Sequence, residues 1–433
     1  MKPTTIAVVA IAMIASRAHA DSSIPPWTDA DDVPMPSSVR SVAPRAADVA
    51  IYAAPGKLDA RRGSAILGAR LPIFGAKRSS GCRGRWLLVG PLAWVCSDVA
   101  ELSPEEVFTP ELPRHTDGLP FHYYFAGRDG AFAFTNLERA LDDAPDQELD
   151  AGFGVAVVEE KNAHGERWVR TRHDRWIALR ELAPARTIAF HGEQLSDVPA
   201  AGLDIAWVLP DHANVYGAAK ADKPSSGRVR FQVVAWREEV TTPTGLMVRI
   251  SVDGAAQPEW MRARDLAHPS SAPPPEEVGG ASSTERWIDV ELASQTLVAF
   301  EGTRPVFATM VSTGRGPLRS ETVTPPGVHR VWVKLTTTTM DNDTAIAAAG
   351  PDMDAPRRYQ LEDVPFVQFF DKAVALHGAF WHSDFGHVHS HGCVNLAPLD
   401  ARWLFGWTAP HLPGGWAAVF PTRLERGTVV RVR

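Results

Sequence analysis

The sequence predicts a mostly β chain built from several small units rather than one large core. Three observations predict it. Pro and Gly are plentiful, at 35 and 33 of 433 residues, so turns are frequent. β-branched residues alternate with polar ones in short runs, the period of a half-buried strand. A tryptophan-bearing hairpin pattern also recurs at roughly 80 to 90 residues, which suits repeated small domains.

The chain opens with Met1-Lys2, an apolar run from Ile6 to Ile14, and then Ala18-His19-Ala20. A basic start, a short apolar core and a small-residue site describe a secretory signal peptide over residues 1–20. The apolar run is about half the ~20 residues that a membrane span needs, and no integral membrane span is expected. A secreted or periplasmic protein of the cell envelope follows. Losing Lys2 and Arg17 takes the formal charge from −7 to about −9, which argues against nucleic acid as a partner. About 413 residues remain, enough for two to four domains.

Residues 21–47, rich in Pro, Asp, Ser and Ala, read as a flexible lead-in. Residues 269–284, with Pro273-Pro274-Pro275 at their centre, read as an extended, solvated linker. Three units lie between, at 48–105, 121–186 and 200–268. The first carries Trp86 and Trp94, the second Trp168 and Trp176, and the third, looser copy Trp260. Each reads as strand, turn, strand and a short tail turn. A hairpin tryptophan in so small a unit belongs to its core more often than to a ligand site.

Cys82 and Cys96 flank the first hairpin, 14 positions apart. On facing strands of an exported protein they suit a disulfide, worth roughly 3 kcal/mol by the chain-entropy model. That pairing leaves Cys393 over, and an odd cysteine in such a protein calls for a chemical reason.

Residues 285–433 begin with a meander. Trp287 to Leu292, Gln295 to Phe300 and Arg304 to Val311 alternate in period two between short polar turns, as in an antiparallel sheet. Ser312-Thr313-Gly314-Arg315 closes that block, and Thr324-Pro325-Pro326-Gly327 makes a rigid turn before the next strand. Residues 335–363 show no clear element and read either as a substrate cover or as an irregular surface loop. Val374-Ala375-Leu376 reads as a buried strand ending at His377-Gly378. Pro398 to Phe405 reads as a short helix with Pro in its first turn; Ala397 at the cap position offers no side-chain cap.

The chemistry concentrates in Ser390-His391-Gly392-Cys393-Val394-Asn395. A thiol is mostly protonated at neutral pH and only the thiolate attacks well. An imidazole within reach takes the proton and returns it to a leaving amine. Cys393 is therefore the candidate nucleophile and His377 the candidate base, with His382 as the alternative base. Gly378 allows the chain to bend closely around a ligand. The N–H groups of Gly392 and Cys393 are candidate oxyanion donors. Ser390 and Asn395 are expected to fix the loop, and His391 to raise the local positive potential. Trp381, His382 and Phe385 are candidates for contact with substrate.

Two resemblances add to this reading. Val49 to Pro55, the Gly-rich stretch that follows and the Trp86–Trp94 hairpin resemble a bacterial Src-homology-3-like barrel. The second and third units resemble it through their terminal hairpins, which implies three small barrels that bind peptide or wall glycan. The paired opening strands, Val311-Ser312-Thr313-Gly314, Thr324-Pro325-Pro326-Gly327 and the Ser390–Asn395 block resemble the L,D-transpeptidase catalytic domain, or YkuD type. That resemblance spans 285–433. It implies a β-sandwich-like fold, a short helix after the catalytic cysteine, and attack of Cys393 on a peptidoglycan stem peptide. It also implies His377 as the base, with the Gly378 carbonyl orienting its ring. One departure is the gap of twelve residues between His377 and Ser390, shorter than the family's usual one.

The products that fit are a cross-link, with an amine as acceptor, or a trimmed stem, with water as acceptor. Two other classes are open to the sequence: a zinc site among His377, His382, His387, His389, His391 and Cys393, and a wall-binding protein without catalysis. Neither a cofactor nor a metal is expected.

Overall fold

The computed structural model describes residues 35–433 except 114, 143, 164, 187, 196–202, 252–256, 280–283, 317–321 and 343–357. The signal peptide and the lead-in up to residue 34 lie outside the described residues, as does the middle of the 335–363 segment. The chain is mostly β, and among the described residues no helix is long and apolar enough to cross a membrane.

Each predicted tryptophan hairpin is present. Trp86–Gly90 pairs with Ala93–Cys96, Glu166–Thr171 with Trp176–Ala178, and Gly245–Arg249 with Trp260–Arg262. Leu92, at φ 50, makes the first turn. A single 3-10 turn follows the second and third hairpins, at Leu179–Glu181 and Ala263–Asp265. Trp86, Trp94, Trp168 and Trp260 are all buried, so these indoles pack rather than face a ligand. Cys82 and Cys96 are disulfide-bonded, with their Cα atoms 5.6 Å apart.

No closed barrel forms among the described residues, and the units are not separate beads. Arg61–Ala65 of the first unit pairs antiparallel with Trp416–Val419 near the chain's end, Gly63 opposite Val419 and Ser64 opposite Ala418. The backbones come close because residue 63 is glycine. A Cβ there would lie 2.6 Å from the Trp416 ring and 2.3 Å from the Ala418 carbonyl oxygen. Val42, Ile51 and Val95 pack in one apolar cluster with Trp416 and Val419. Period-two patterning predicted these strands but carried no signal for the partner, because a strand that pairs on both edges looks the same as an edge strand.

The linker differs in a similar way. Its described residues, 269–279 and 284, do not run free: Val278 is buried at 1 % exposure in a cluster with Trp287, Phe300 and Phe385. The Pro273 carbonyl accepts from Arg431, and the Ser270 hydroxyl accepts from Arg433 at 2.6 Å. The polar composition reflects hydrogen bonds to these two arginines, not solvation alone.

In the C-terminal region Arg286–Glu291, Thr296–Glu301 and Arg304–Met310 form the expected meander, and Val429–Val432 joins it in parallel beside Arg286–Glu291. The segment expected to be irregular is strand at both ends. Val333–Asp341 pairs antiparallel with Gln360–Asp371, Val333 opposite Phe369 and Asp341 opposite Gln360. The Thr336 to Thr339 run, polar yet β-branched, forms strand because its backbone pairs on a long partner. Val374–Gly378 then lies between Gln360–Asp371 and Val394–Leu396.

The helix Pro398–Trp407 has no side-chain cap at Ala397. Its first turn is held by Asp400 instead, a buried carboxylate that accepts from the Gly192 N–H at 2.8 Å and the Thr309 hydroxyl at 2.5 Å. Its far end is held by Lys334, which is fully buried and donates to the carbonyls of Phe405 at 2.6 Å and Thr408 at 2.8 Å. A cation at a helix C-terminus meets the negative end of the aligned peptide dipoles.

Candidate active site

Alternation along Val374–Gly378 decides what His377 faces. Leu376 enters the main core of the C-terminal region, while Ala375 packs in the cluster on the other side. His377 shares the Ala375 side. The ring is 1 % exposed, and its Nδ1 lies 3.2 Å from the Gly378 carbonyl. A carbonyl only accepts, so Nδ1 carries the proton and Nε2 keeps its lone pair. Trp381 stacks on the ring at 5.6 Å. Gly378 was expected to let the chain bend around a ligand, but its surroundings are protein. A Cβ there would lie 3.2 Å from Pro365 and 3.4 Å from Ala401, so the missing side chain lets the strand pack against the helix.

The Ser390–Cys393 turn is held from within and from below. The Ser390 hydroxyl donates to the Cys393 carbonyl at 2.5 Å and accepts the Gly392 N–H at 3.1 Å. That N–H is therefore occupied, which removes it from the two candidate oxyanion donors and leaves Cys393 N–H. Gly392 sits at φ 131, a conformation that L side chains rarely adopt. Its carbonyl accepts from Thr324 Oγ1 at 2.8 Å, and that same oxygen accepts the Gly314 N–H at 2.9 Å. Beneath the turn, the Arg315 N–H donates to the Ser390 carbonyl at 3.0 Å, and Ser312 bridges Asn395.

Cys393 is the one free thiol of the chain and is half-buried. Together with His377 it lines a cavity of about 660 Å³, whose wall also includes Trp381, Ser390, His391 and Asn395. Val374–Gly378, which carries His377, and Val394–Leu396, which follows Cys393, are adjacent and parallel, with Leu376 opposite Val394 and His377 opposite Asn395. The thiol contacts the Ala373 carbonyl at 3.8 Å. No hydrogen bond joins it to an imidazole among the described residues. Burial pushes the Cys393 thiol up to about 11 and pulls His377 down to about 4, the Gly378 carbonyl opposing the latter. At neutral pH both groups are therefore uncharged.

His382 is occupied elsewhere. Its Nδ1 accepts the Asp384 N–H at 3.1 Å, and its Nε2 lies 2.8 Å from the Asn395 side-chain amide. A neutral ring accepting at Nδ1 carries its proton at Nε2, so the Asn395 oxygen is the atom that suits it. Burial, then the nearby His389 ring, depress His382 to about 3. Of the three substrate-contact candidates, Trp381 lines the cavity and the other two do not. Phe385 is 0 % exposed and stacks on Phe190 in the core. In sequence, an aromatic among histidines reads the same whether it lines a groove or fills a core.

Among the described residues, the histidines of the candidate zinc set form no ligand-spaced group with Cys393, although His377, His389 and His391 line its cavity. Ligand atoms of His382, Asp384 and His389 lie within 4.8 Å of one another, but neither His377 nor Cys393 belongs to that group. The two imidazoles stack at 4.0 Å, and both His382 nitrogens are already committed. His391 is exposed, lines the cavity and stacks on Tyr359. Thr324, Tyr359, Arg315 and Phe125 were not singled out from sequence for the site. The run Thr324-Pro325-Pro326-Gly327 did mark a rigid turn, without showing that the turn pins the Gly392 carbonyl.

Residues 285–432 match the L,D-transpeptidase catalytic domain, YkuD. No curated protein matches the chain. Solved structures similar to it include an Enterococcus faecium L,D-transpeptidase mutant, at 22% identity over 35% of this chain and 50% of that one, with a TM-score of 0.25. The catalytic domain of the E. faecium enzyme, solved by NMR, shares 23% identity over 35% of this chain and 99% of that one, at 0.25. An L,D-transpeptidase from Mycobacterium smegmatis shares 18% over 64% of this chain and 99% of that one, at 0.27. The chain spans about half the length of the first of these. The family match covers the C-terminal third of the chain, and the three hairpin units lie outside it.

Proposed function

We propose that the chain is a peptidoglycan L,D-transpeptidase with Cys393 as nucleophile and His377 as base. The observation that carries this is that the one free thiol, at the end of a turn, and a histidine with an open Nε2, on the strand beside it, line one cavity inside the region that matches the L,D-transpeptidase domain.

The resting pair is thiol and neutral imidazole, so proton transfer accompanies attack. His377 Nε2 takes the Cys393 proton as the sulfur adds to the amide carbonyl after the stem peptide's third residue. The carbonyl oxygen gains charge opposite the Cys393 N–H. The C–N bond breaks, the terminal D-amino acid leaves with the proton from His377, and a thioester remains. An amine of a second stem then loses a proton to His377 and displaces the sulfur, which recovers it.

We read the three hairpin units as Src-homology-3-like modules that support the catalytic domain, and the mature chain as a cell-envelope protein. The Cys82–Cys96 disulfide suits an oxidising compartment. Mass spectrometry of muropeptides incubated with the mature protein tests the whole reading. Cross-linked products are expected. Trimmed stems would make water the acceptor, and unchanged muropeptides would overturn the assignment.

A further inference from the structure

The Cys393 cavity is not closed by the L,D-transpeptidase domain alone. Phe125 and Gly152, from the second hairpin unit, stand in its lining. Phe125 belongs to the strand His122–Ala126, is half-buried, and holds its ring 5.9 Å from Phe380. Its neighbour Tyr123 stacks on Phe380 at 3.9 Å and donates to the Asp363 main-chain carbonyl at 2.6 Å. Phe380 packs edge-on at 5.1 Å against Trp381, the ring that stacks on His377, so the second unit meets the wall of the cavity one ring away from the candidate base.

This unit also clamps the strand pair Val333–Asp341 and Gln360–Asp371. Met340, Tyr359 and Leu361, in or beside that pair, line the same cavity as Cys393. Gly154 bridges Leu361 in parallel. Asp363, 5 % exposed, binds Arg172 and His173, each at 3.0 Å, and accepts from Thr337. Glu362, 3 % exposed, pairs with Arg175. Arg358 reaches Asp150 and lies over Phe153 at 5.5 Å. The Asp363 and Glu362 carboxylates are the buried members of these pairs, and removing their partners would leave a buried charge uncompensated. The unit is therefore a fixed part of the cavity and not a tethered module.

We propose that the second unit is the size-selecting wall of the active site. Phe125 admits a single linear peptide to Cys393 and turns away a stem already branched at its third-residue side chain. The identity of the peptide rests on the transpeptidase reading; the control of access to the thiol does not.

Because Cys82 and Cys96 are joined, alkylation of the full chain reports Cys393. The rates of iodoacetamide and of a fluorescein-bearing iodoacetamide are compared in the wild type, Phe125→Ala and Phe125→Leu. The bulky reagent is expected to accelerate roughly tenfold in Phe125→Ala and by less in Phe125→Leu, with the small reagent unchanged, as pocket truncations usually relax discrimination. The ratio of kcat/KM for linear over branched muropeptide donors should fall in parallel. A role in folding alone would move both reagents together and would overturn the proposal, as would an unchanged ratio in both variants. If the alkylation ratio shifts while no variant turns over any muropeptide, the wall stands and the transpeptidase reading falls.

Discussion

At the scale of single residues, the balance between Cys393 and His377 sets the chemistry. With the thiol raised to about 11 and the imidazole lowered to about 4, no ion pair exists at neutral pH. Alkylation of Cys393 should therefore speed up about tenfold per pH unit from 7 towards 10, since only the thiolate reacts. A rate already level by pH 7 would mean a preformed thiolate and imidazolium. Transfer of stem peptides, in contrast, should be flat from pH 6 to 9, because it uses the thiol and the neutral ring together. Cys393→Ala should abolish transfer and leave the circular dichroism spectrum intact. His377→Ala should lower kcat by about 10²- to 10⁴-fold. His382→Ala should cost far less in kcat and should lower the melting temperature instead, because it strips the Asn395 amide of its partner. The reverse order would reassign the base.

Among the elements, the helix Pro398–Trp407 shows how a buried charge is tuned. Asp400 is 2 % exposed, and burial raises its carboxyl to about 6, with Thr309 and Gly192 partly opposing. A carboxyl raised in the folded state binds its proton there at pH values where the unfolded chain has already lost it. Stability should thus fall as pH rises from about 4 to about 6, by about 3 kcal/mol at 1.4 kcal/mol per pKa unit. Urea unfolding across that range checks the slope, and Asp400→Asn should flatten it. The helix itself was readable in sequence from Pro398 to Phe405, with Pro in its first turn. Its anchorage was not: Ala397 signalled a missing cap, and nothing in the sequence joined Asp400 to Gly192 or Lys334 to Phe405. The same division holds in the site. Ser390-His391-Gly392-Cys393 and His377-Gly378 were legible because glycine and the nucleophile lie next to each other along the chain. The occupied N–H of Gly392 and the core position of Phe385 depend on how a loop closes, which local patterning does not report.

Over the whole molecule, what sequence missed is long-range pairing. Repeats and hairpins were visible as local periodicity, and each unit seemed complete within its own stretch. Yet Gly63 meets Val419, Gly154 meets Leu361, and Phe125 shares a cavity with Cys393. Such contacts are set by three-dimensional docking of apolar faces and leave no period in the chain. Gly63→Val tests the docking. With the Trp416 ring and the Ala418 carbonyl in the way, the variant should split the thermal transition into two steps, where a chain docked throughout melts in one. A single unshifted transition would show that this contact contributes little.

The strand Trp416–Val419 has Val333–Asp341 on one side and Arg61–Ala65 on the other. A fragment beginning at residue 285 would keep the first neighbour and lose the second. It would then present bare amides and carbonyls beside the uncovered Trp416 and Val419 side chains, a template for a second copy to extend. The excised catalytic piece is therefore expected to self-associate, and activity measured on it would describe an assembly that the intact chain prevents.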